Sequence, residues 1–146
     1  MLRRIDHVGI AVADLDQAIA FYTDVLGMRC THVETNLDQG VREAMMQVGD
    51  SGDFVQLLAP LNPDSTVARF LDRNGPGLQQ LAYTVDDIDA TSAELRSRGL
   101  RLLFDDPRPG TADSLVNFVH PKDAGGVLIE LVQPADASGH AAAEEA

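Results

Sequence analysis

Apolar and polar residues alternate along residues 4–12, with Val8, Ile10 and Val12 on one side and His7 on the other, the period-two pattern of a half-buried strand. The period then changes. Leu15, Ile19, Tyr22 and Leu26 recur at helical spacing, behind Asp14 as an N-cap and ahead of Gly27 as a terminator, so a helix is predicted there. Strands are predicted near 29–35, 41–48 and 53–59, with Gly49-Asp50-Ser51-Gly52 as a turn. Asp64-Ser65 opens a short helix with Val67, Phe70 and Leu71 on one side, and Asn74-Gly75-Pro76 closes it. A strand, a helix built on Asp87, Ile88, Leu95 and Gly99, and strands near 100–104, 114–120 and 126–133 complete the series.

The order of elements repeats, and so do residues within it. Ile5-Asp6-His7-Val8-Gly9-Ile10-Ala11-Val12 lies over Leu78-Gln79-Gln80-Leu81-Ala82-Tyr83-Thr84-Val85, and Asp14-Leu15-Asp16 over Asp87-Ile88-Asp89, at an offset of 73. Phe54-Val55-Gln56-Leu57-Leu58-Ala59-Pro60 lies over Leu128-Ile129-Glu130-Leu131-Val132-Gln133-Pro134 at an offset of 74, which upstream sets Glu43 opposite Asn117. Matches in the same order mark a duplication. The reading is an α+β chain of two βαβββ repeats forming a curved mixed sheet: repeat one over 4–60, a linker helix over 61–76 and repeat two over 77–134, within a single domain over 1–134. Residues 135–146 carry no large apolar residue and are expected to be disordered.

Alternation assigns faces. His7, Gln56, Gln80 and Glu130 all fall on the side away from the apolar residues expected to pack on the repeat helices, and Glu43 joins them because Ala44 and Met46 take the other face. An imidazole, two amides and a carboxylate in apolar strands need partners, since burying them alone would cost several kcal/mol. Together with water they suit an octahedral divalent ion. His32 is expected to face solvent, as is His140, and Cys30 to be a small apolar filler.

Composition narrows the setting. A formal charge of −12, from 11 Lys and Arg against 23 Asp and Glu, excludes a polyanion binder and with it nucleic acid. No apolar run has the length of a membrane span, and Met1-Leu2-Arg3-Arg4 leads at once into patterned sequence, without a secretory signal. Cys30 is the single cysteine, which fits a reducing, cytoplasmic compartment.

Five stretches carry a resemblance: IDHVGIAVADLDQAIAFY, DQGVREAMM, VQLLAPLNPDSTVARFL, VDDIDATSAELRSRGLRLL and NFVHPKDAGGVLIELV. They resemble the vicinal oxygen chelate superfamily (the glyoxalase and bleomycin resistance proteins), and within it the methylmalonyl-CoA epimerase family. The resemblance implies a vicinal oxygen chelate fold around a metal held by His7, Gln56, Gln80 and Glu130, with Gln80 standing where the family usually has histidine. It implies cobalt, with magnesium, manganese, nickel or zinc as alternatives, and an acyl-CoA substrate whose 2R and 2S forms are interconverted. Proton transfer would use Glu43 and Glu130 as the two carboxyl groups, through a metal-stabilised enolate. Asn117 and Lys122 are assigned to substrate, Lys122 and Arg108 through coenzyme A phosphates. A homodimer is implied as well. Two alternatives stand beside this reading: a glyoxalase-like lyase or isomerase, and a metal-free small-molecule binding protein of the same fold.

Overall fold

The computed structural model describes residues 1–135. Among the described residues there are eight strands and three α-helices, all but β6 where the sequence predicts an element: β1 (Leu2–Ala11), α1 (Leu15–Ala20), β2 (Arg29–Asn36), β3 (Val41–Val48), β4 (Asp53–Pro60), α2 (Thr66–Asn74), β5 (Gly77–Val85), α3 (Ile88–Ser97), β6 (Arg108–Pro109), β7 (Leu115–Val119) and β8 (Ile129–Gln133). The α+β class and the duplicated order of elements are as the sequence predicts. Contacts group them into two compact units, one of residues 7–80 and one of 81–135 together with 1–6. The residues read as 135–146 of the tail lie, from 136 on, outside the described residues.

In the unit of 7–80 the strands run β2-β3-β4-β1, antiparallel except for the parallel β1/β4 pair, in which Gly9 faces Gln56 and Ile10 faces Leu57. Asp14 caps α1 by accepting from the Gln17 amide at 3.0 Å. Leu15 and Ile19 of α1 pack with Ala44, Met46, Val55, Leu57 and Ala59, as the alternation of β3 and β4 predicts. The helix then widens into a π-helical turn, Phe21–Val25, with the Leu26 amide reaching back to the Phe21 carbonyl at 3.3 Å. That change of pitch turns Leu26 outward, 51% exposed, where the helical spacing had placed it in the core stripe.

The opposite face of the same strands is not bare. Ala11, Val41 and Leu58 pack against Val67, Phe70 and Leu71 of α2, so the linker helix covers one end of the face that carries His7, Glu43 and Gln56. Ser65 caps that helix through the Ala68 amide at 3.1 Å.

The unit of 81–135 with 1–6 orders its strands β5-β8-β7-β6, with β5/β8 parallel and the rest antiparallel. Val85, Ile88, Leu95, Ile129 and Leu131 form its helix-side core, and Ala82, Val116, Phe118, Val132, Phe104 and Leu128 pack on the other side. The strand predicted near 100–104 is not formed. Only an isolated bridge joins Leu102 to Val119, and the ladder position beyond it is taken by a side chain: Asn117 accepts from the Phe104 amide at 3.2 Å and donates to the Phe104 carbonyl at 2.9 Å.

Candidate functional site

The unit of 7–80 brings together four of the predicted site residues. His7 on β1, Glu43 on β3 and Gln56 on β4 are buried, each 4% exposed or less, and Gln80 on β5 is half-buried. Gln56 pairs across the ladder with Met45, which makes Glu43 its diagonal neighbour on the same face. The Gln56 amide nitrogen donates to Glu43 Oε2 at 3.2 Å, and the Gln80 amide nitrogen donates to Gln56 Oε1 at 3.4 Å. A polar chain therefore runs from Gln80 through Gln56 to a buried carboxylate. Its walls are strand residues with fixed alternation, and α2 closes one end, so these groups are set by packed elements rather than by loops.

Gly9 lies under this chain. It sits directly opposite Gln56 in the parallel β1/β4 ladder and is buried. A Cβ added at Gly9 would stand 2.3 Å from Gln80 Cγ and 3.0 Å from its Cδ. The sequence pattern shows residue 9 only as one more position of an alternating strand.

Glu130 belongs to the other unit. It is 6% exposed, on the same face as Ala82, its β5 neighbour, and Phe118, its β7 neighbour. The pairing of Asn117 with Glu43 does not hold in the structure. Gln56 faces Met45 whereas Glu130 faces Phe118, because the hairpin of the second copy is one residue longer. Glu43 is thus matched by Val116 and Ala44 by Asn117, which turns Asn117 to the face opposite Glu130. Asn117 is fully buried, and its amide is engaged with the backbone of Phe104 and, at 2.8 Å, of Phe118. It is a structural stitch and not a group turned toward the site face.

Lys122 is exposed on the short turn Pro121–Asp123, and the Arg108 guanidinium lies 4.6 Å from the centre of the Phe104 ring. Behind Lys122, Arg101 grips Asp123 with its Nε at 3.0 Å, its terminal nitrogen at 2.9 Å and its backbone amide at 2.9 Å. The Arg101 side-chain hydrogen bonds, then its backbone amide, hold the Asp123 carboxyl down at about 2. His32 faces solvent as predicted, 2.5 Å from Glu34. Cys30 is exposed on β2, not buried as a filler, although it pairs with the buried Met46, because β2 is an edge strand whose residues 29–33 are all exposed. His140 lies outside the described residues.

The model of the Glyoxalase/Bleomycin resistance protein/Dioxygenase superfamily matches residues 6–118. A crystal structure of methylmalonyl-CoA epimerase from Mycobacterium tuberculosis is 58% identical and superposes with a TM-score of 0.89, covering 92% of this chain and 89% of that one. A methylmalonyl-CoA epimerase solved with methylmalonyl-CoA and NH4+ is 44% identical, with a TM-score of 0.90 over 94% of this chain and 98% of that one. The mitochondrial methylmalonyl-CoA epimerase of Mus musculus is 38% identical over 133 residues, 90% of this chain and 74% of the relative. The chain belongs to the methylmalonyl-CoA epimerase family.

For a member of the methylmalonyl-CoA epimerase family, the donor chemistry of the 7–80 unit decides which metals fit. Among the described residues no group of three or more His, Cys, Asp or Glu side chains is placed to hold a metal ion. A metal centre at His7, Gln56 and Gln80 would take two amide oxygens beside one imidazole nitrogen. An imidazole with two glutamine oxygens suits a six-coordinate, oxygen-tolerant divalent ion better than the closed nitrogen and sulfur sets of tetrahedral zinc. The residues fit such an ion. Among the described residues, no helix is long and apolar enough to cross a membrane.

Proposed function

We propose that this chain is an epimerase that interconverts the 2R and 2S forms of methylmalonyl-CoA or a close 2-alkylmalonyl-CoA. The observation that carries the reading is a buried carboxylate, Glu43, oriented by the Gln56 amide at 3.2 Å, in a chain of the methylmalonyl-CoA epimerase family. Inverting a carbon acid needs one group to take a proton on one side and another to return it on the other. Glu43 is the first of these. Burial on β3 and the Gln56 amide set the direction of its oxygens, and an ionised carboxylate can accept the proton. Glu130 takes the second role by the resemblance. One carboxyl must be ionised and the other protonated at the start of each turnover, with the roles exchanged in the reverse direction.

A divalent metal would be held by His7, Gln56 and Gln80, with Glu130 as the fourth ligand by the resemblance. Cobalt is the resemblance-based choice, and magnesium, manganese, nickel and zinc are the alternatives. Such an ion supplies Lewis acidity to the oxygens of a thioester and a carboxylate. The chain's own part is to exclude water, through Ala11, Leu58 and the α2 residues packed at the end of the same face, and to hold the amides in place. Lys122, exposed on its turn, is assigned to the phosphates of coenzyme A. A homodimer and a cytoplasmic setting belong to the same reading, the first on the resemblance and the second on the single cysteine.

Wash-in of solvent deuterium at the α-carbon of methylmalonyl-CoA tests the proton transfers. Glu43→Gln and Glu130→Gln should each slow epimerisation by about 10²- to 10⁴-fold. Wild-type rates of exchange and epimerisation in both variants would overturn the two-carboxylate mechanism.

A further inference from the structure

Gly9 sits in the interior of β1 without any backbone reason to be glycine. Its φ is not among the positive values that mark Gly27, Gly40, Gly49 and Gly75, so any L residue can adopt its conformation. Glycine in a strand interior forgoes side-chain packing and loses more backbone entropy on folding than any other residue. Its counterpart in the second copy is Ala82, fully buried opposite Glu130 as Gly9 is opposite Gln56. The first copy has thus dropped the one methyl that the second keeps, and what fills the space is Gln80. A methyl at Gly9 would meet Gln80 at Cγ, 2.3 Å away, and also at Cδ and Nε2, 3.0 and 3.2 Å away. Cγ is close to the backbone of Gln80, so the clash cannot be relieved by moving the amide end alone. The side chain would have to leave its rotamer, and with it the contact with Gln56 at 3.4 Å.

We infer that Gly9 is the positioning residue for Gln80: the missing side chain opens the space across which the longer, less rigid amide reaches the site where the family usually has histidine. The inference rests on the reading of Gln80 as a metal ligand. Gly9 itself touches neither metal nor substrate; it acts through Gln80.

Titration of the apoprotein with Co2+, followed by calorimetry, separates the two ideas when run on Gly9→Ala, Gln80→Ala and the double variant, with the thermal midpoint of each apoprotein measured alongside. Gly9→Ala and Gln80→Ala should each weaken Co2+ binding by about ten-fold or more. The double variant should bind no more weakly than Gln80→Ala, because the three atoms nearest the methyl are then gone. Wild-type affinity in Gly9→Ala beside weakened binding in Gln80→Ala overturns the role of Gly9 and leaves the ligand reading standing, as does an additive loss in the double variant. Wild-type affinity in Gln80→Ala overturns both. If Gly9→Ala does not fold, the double variant decides: recovered folding ties the clash to Gln80, and failure to recover overturns the inference.

Discussion

The two copies of the repeat differ on one face and agree on the other. On the helix side Leu15, Val55 and Leu57 of the first copy are answered by Ile88, Ile129 and Leu131 of the second, apolar for apolar. On the far side, Gly9, Glu43, Gln56 and Leu58 are answered by Ala82, Val116, Glu130 and Val132. Packing against a helix tolerates little chemical change, since a buried side chain there touches neighbours on all sides. The polar residues admitted to that face have their amides engaged with backbone: Asn117, at the position of Ala44, with Phe104, and Gln133, at the position of Ala59, whose Oε1 accepts from the Ile88 amide at 2.9 Å. Divergence has gone instead to the face that the helices of the repeats leave open. There the first copy carries a hydrogen-bonded acid and amide, and the second keeps a carboxylate among apolar neighbours.

Making the first copy like the second should have the largest effect. Glu43→Val installs the residue found at the equivalent place, and epimerisation should fall at least about 100-fold, with the fold retained by circular dichroism. The reciprocal Val116→Glu should restore nothing. It would bury a carboxylate against Ala82, Phe118 and Val132 and lower the denaturation midpoint. Epimerase activity in Glu43→Val/Val116→Glu would show that the two places are interchangeable and that the two copies have not diverged in what this face can do.

The next effect concerns the amide at position 80. Gln80→His should raise affinity for Co2+ and Zn2+ by about ten-fold while leaving Mg2+ binding no tighter, because imidazole favours the borderline metals. Competition titrations with the three ions would check this, and equal gains for all three would contradict it. Asn117→Ala should cost about 1–3 kcal/mol of stability, because the amide and carbonyl of Phe104 lose their partner. Urea denaturation gives the cost, and KM should not move, whereas a substrate-binding asparagine would raise it.

Much of this was legible before the structure. Alternation in β1, β3 and β4 assigned the faces of Ile10, Ala44, Met46 and Leu57 as they are found, because a sheet with one face packed on a helix ties side-chain direction to parity. Parity is also where reading by repeat failed. One extra residue in the second hairpin, spent on the turn at Pro121–Asp123, shifts Asn117 to the other face, and a constant offset carried across that turn cannot register it. The strand expected at 100–104 fails to form for a related reason: beyond the single bridge at Leu102, the backbone of Phe104 bonds to the Asn117 side chain, which no periodicity reveals. Within the candidate site, His7, Glu43 and Gln56 follow from parity, but the cover that α2 provides and the space above Gly9 are tertiary facts. The apolar stripe of Val67, Phe70 and Leu71 predicts that α2 packs, not what it packs on.

The smallest predicted effect compares an ion pair with its own repeat. Arg29 and Asp50 stand where Arg101 and Asp123 stand in the second copy, yet the first pair is 3.8 Å apart with Asp50 98% exposed, whereas the second is bidentate at 2.9 and 3.0 Å with Asp123 only 20% exposed. A loose pair in water contributes little. Asp50→Asn should therefore leave the thermal midpoint unchanged. Asp123 has its carboxyl lowered from 3.8 to about 2, first by the Arg101 side chain and then by the Arg101 amide. A carboxyl depressed in the folded state binds fewer protons there than in the unfolded chain, so its contribution is fully present above about pH 4 and drains away as the pH falls toward about 2. Asp123→Asn should accordingly melt below wild type at pH 7, and the gap should close across that acid window. A gap of constant size from pH 7 to pH 2 would mean that the grip of Arg101 on the charged carboxylate is not what holds this turn.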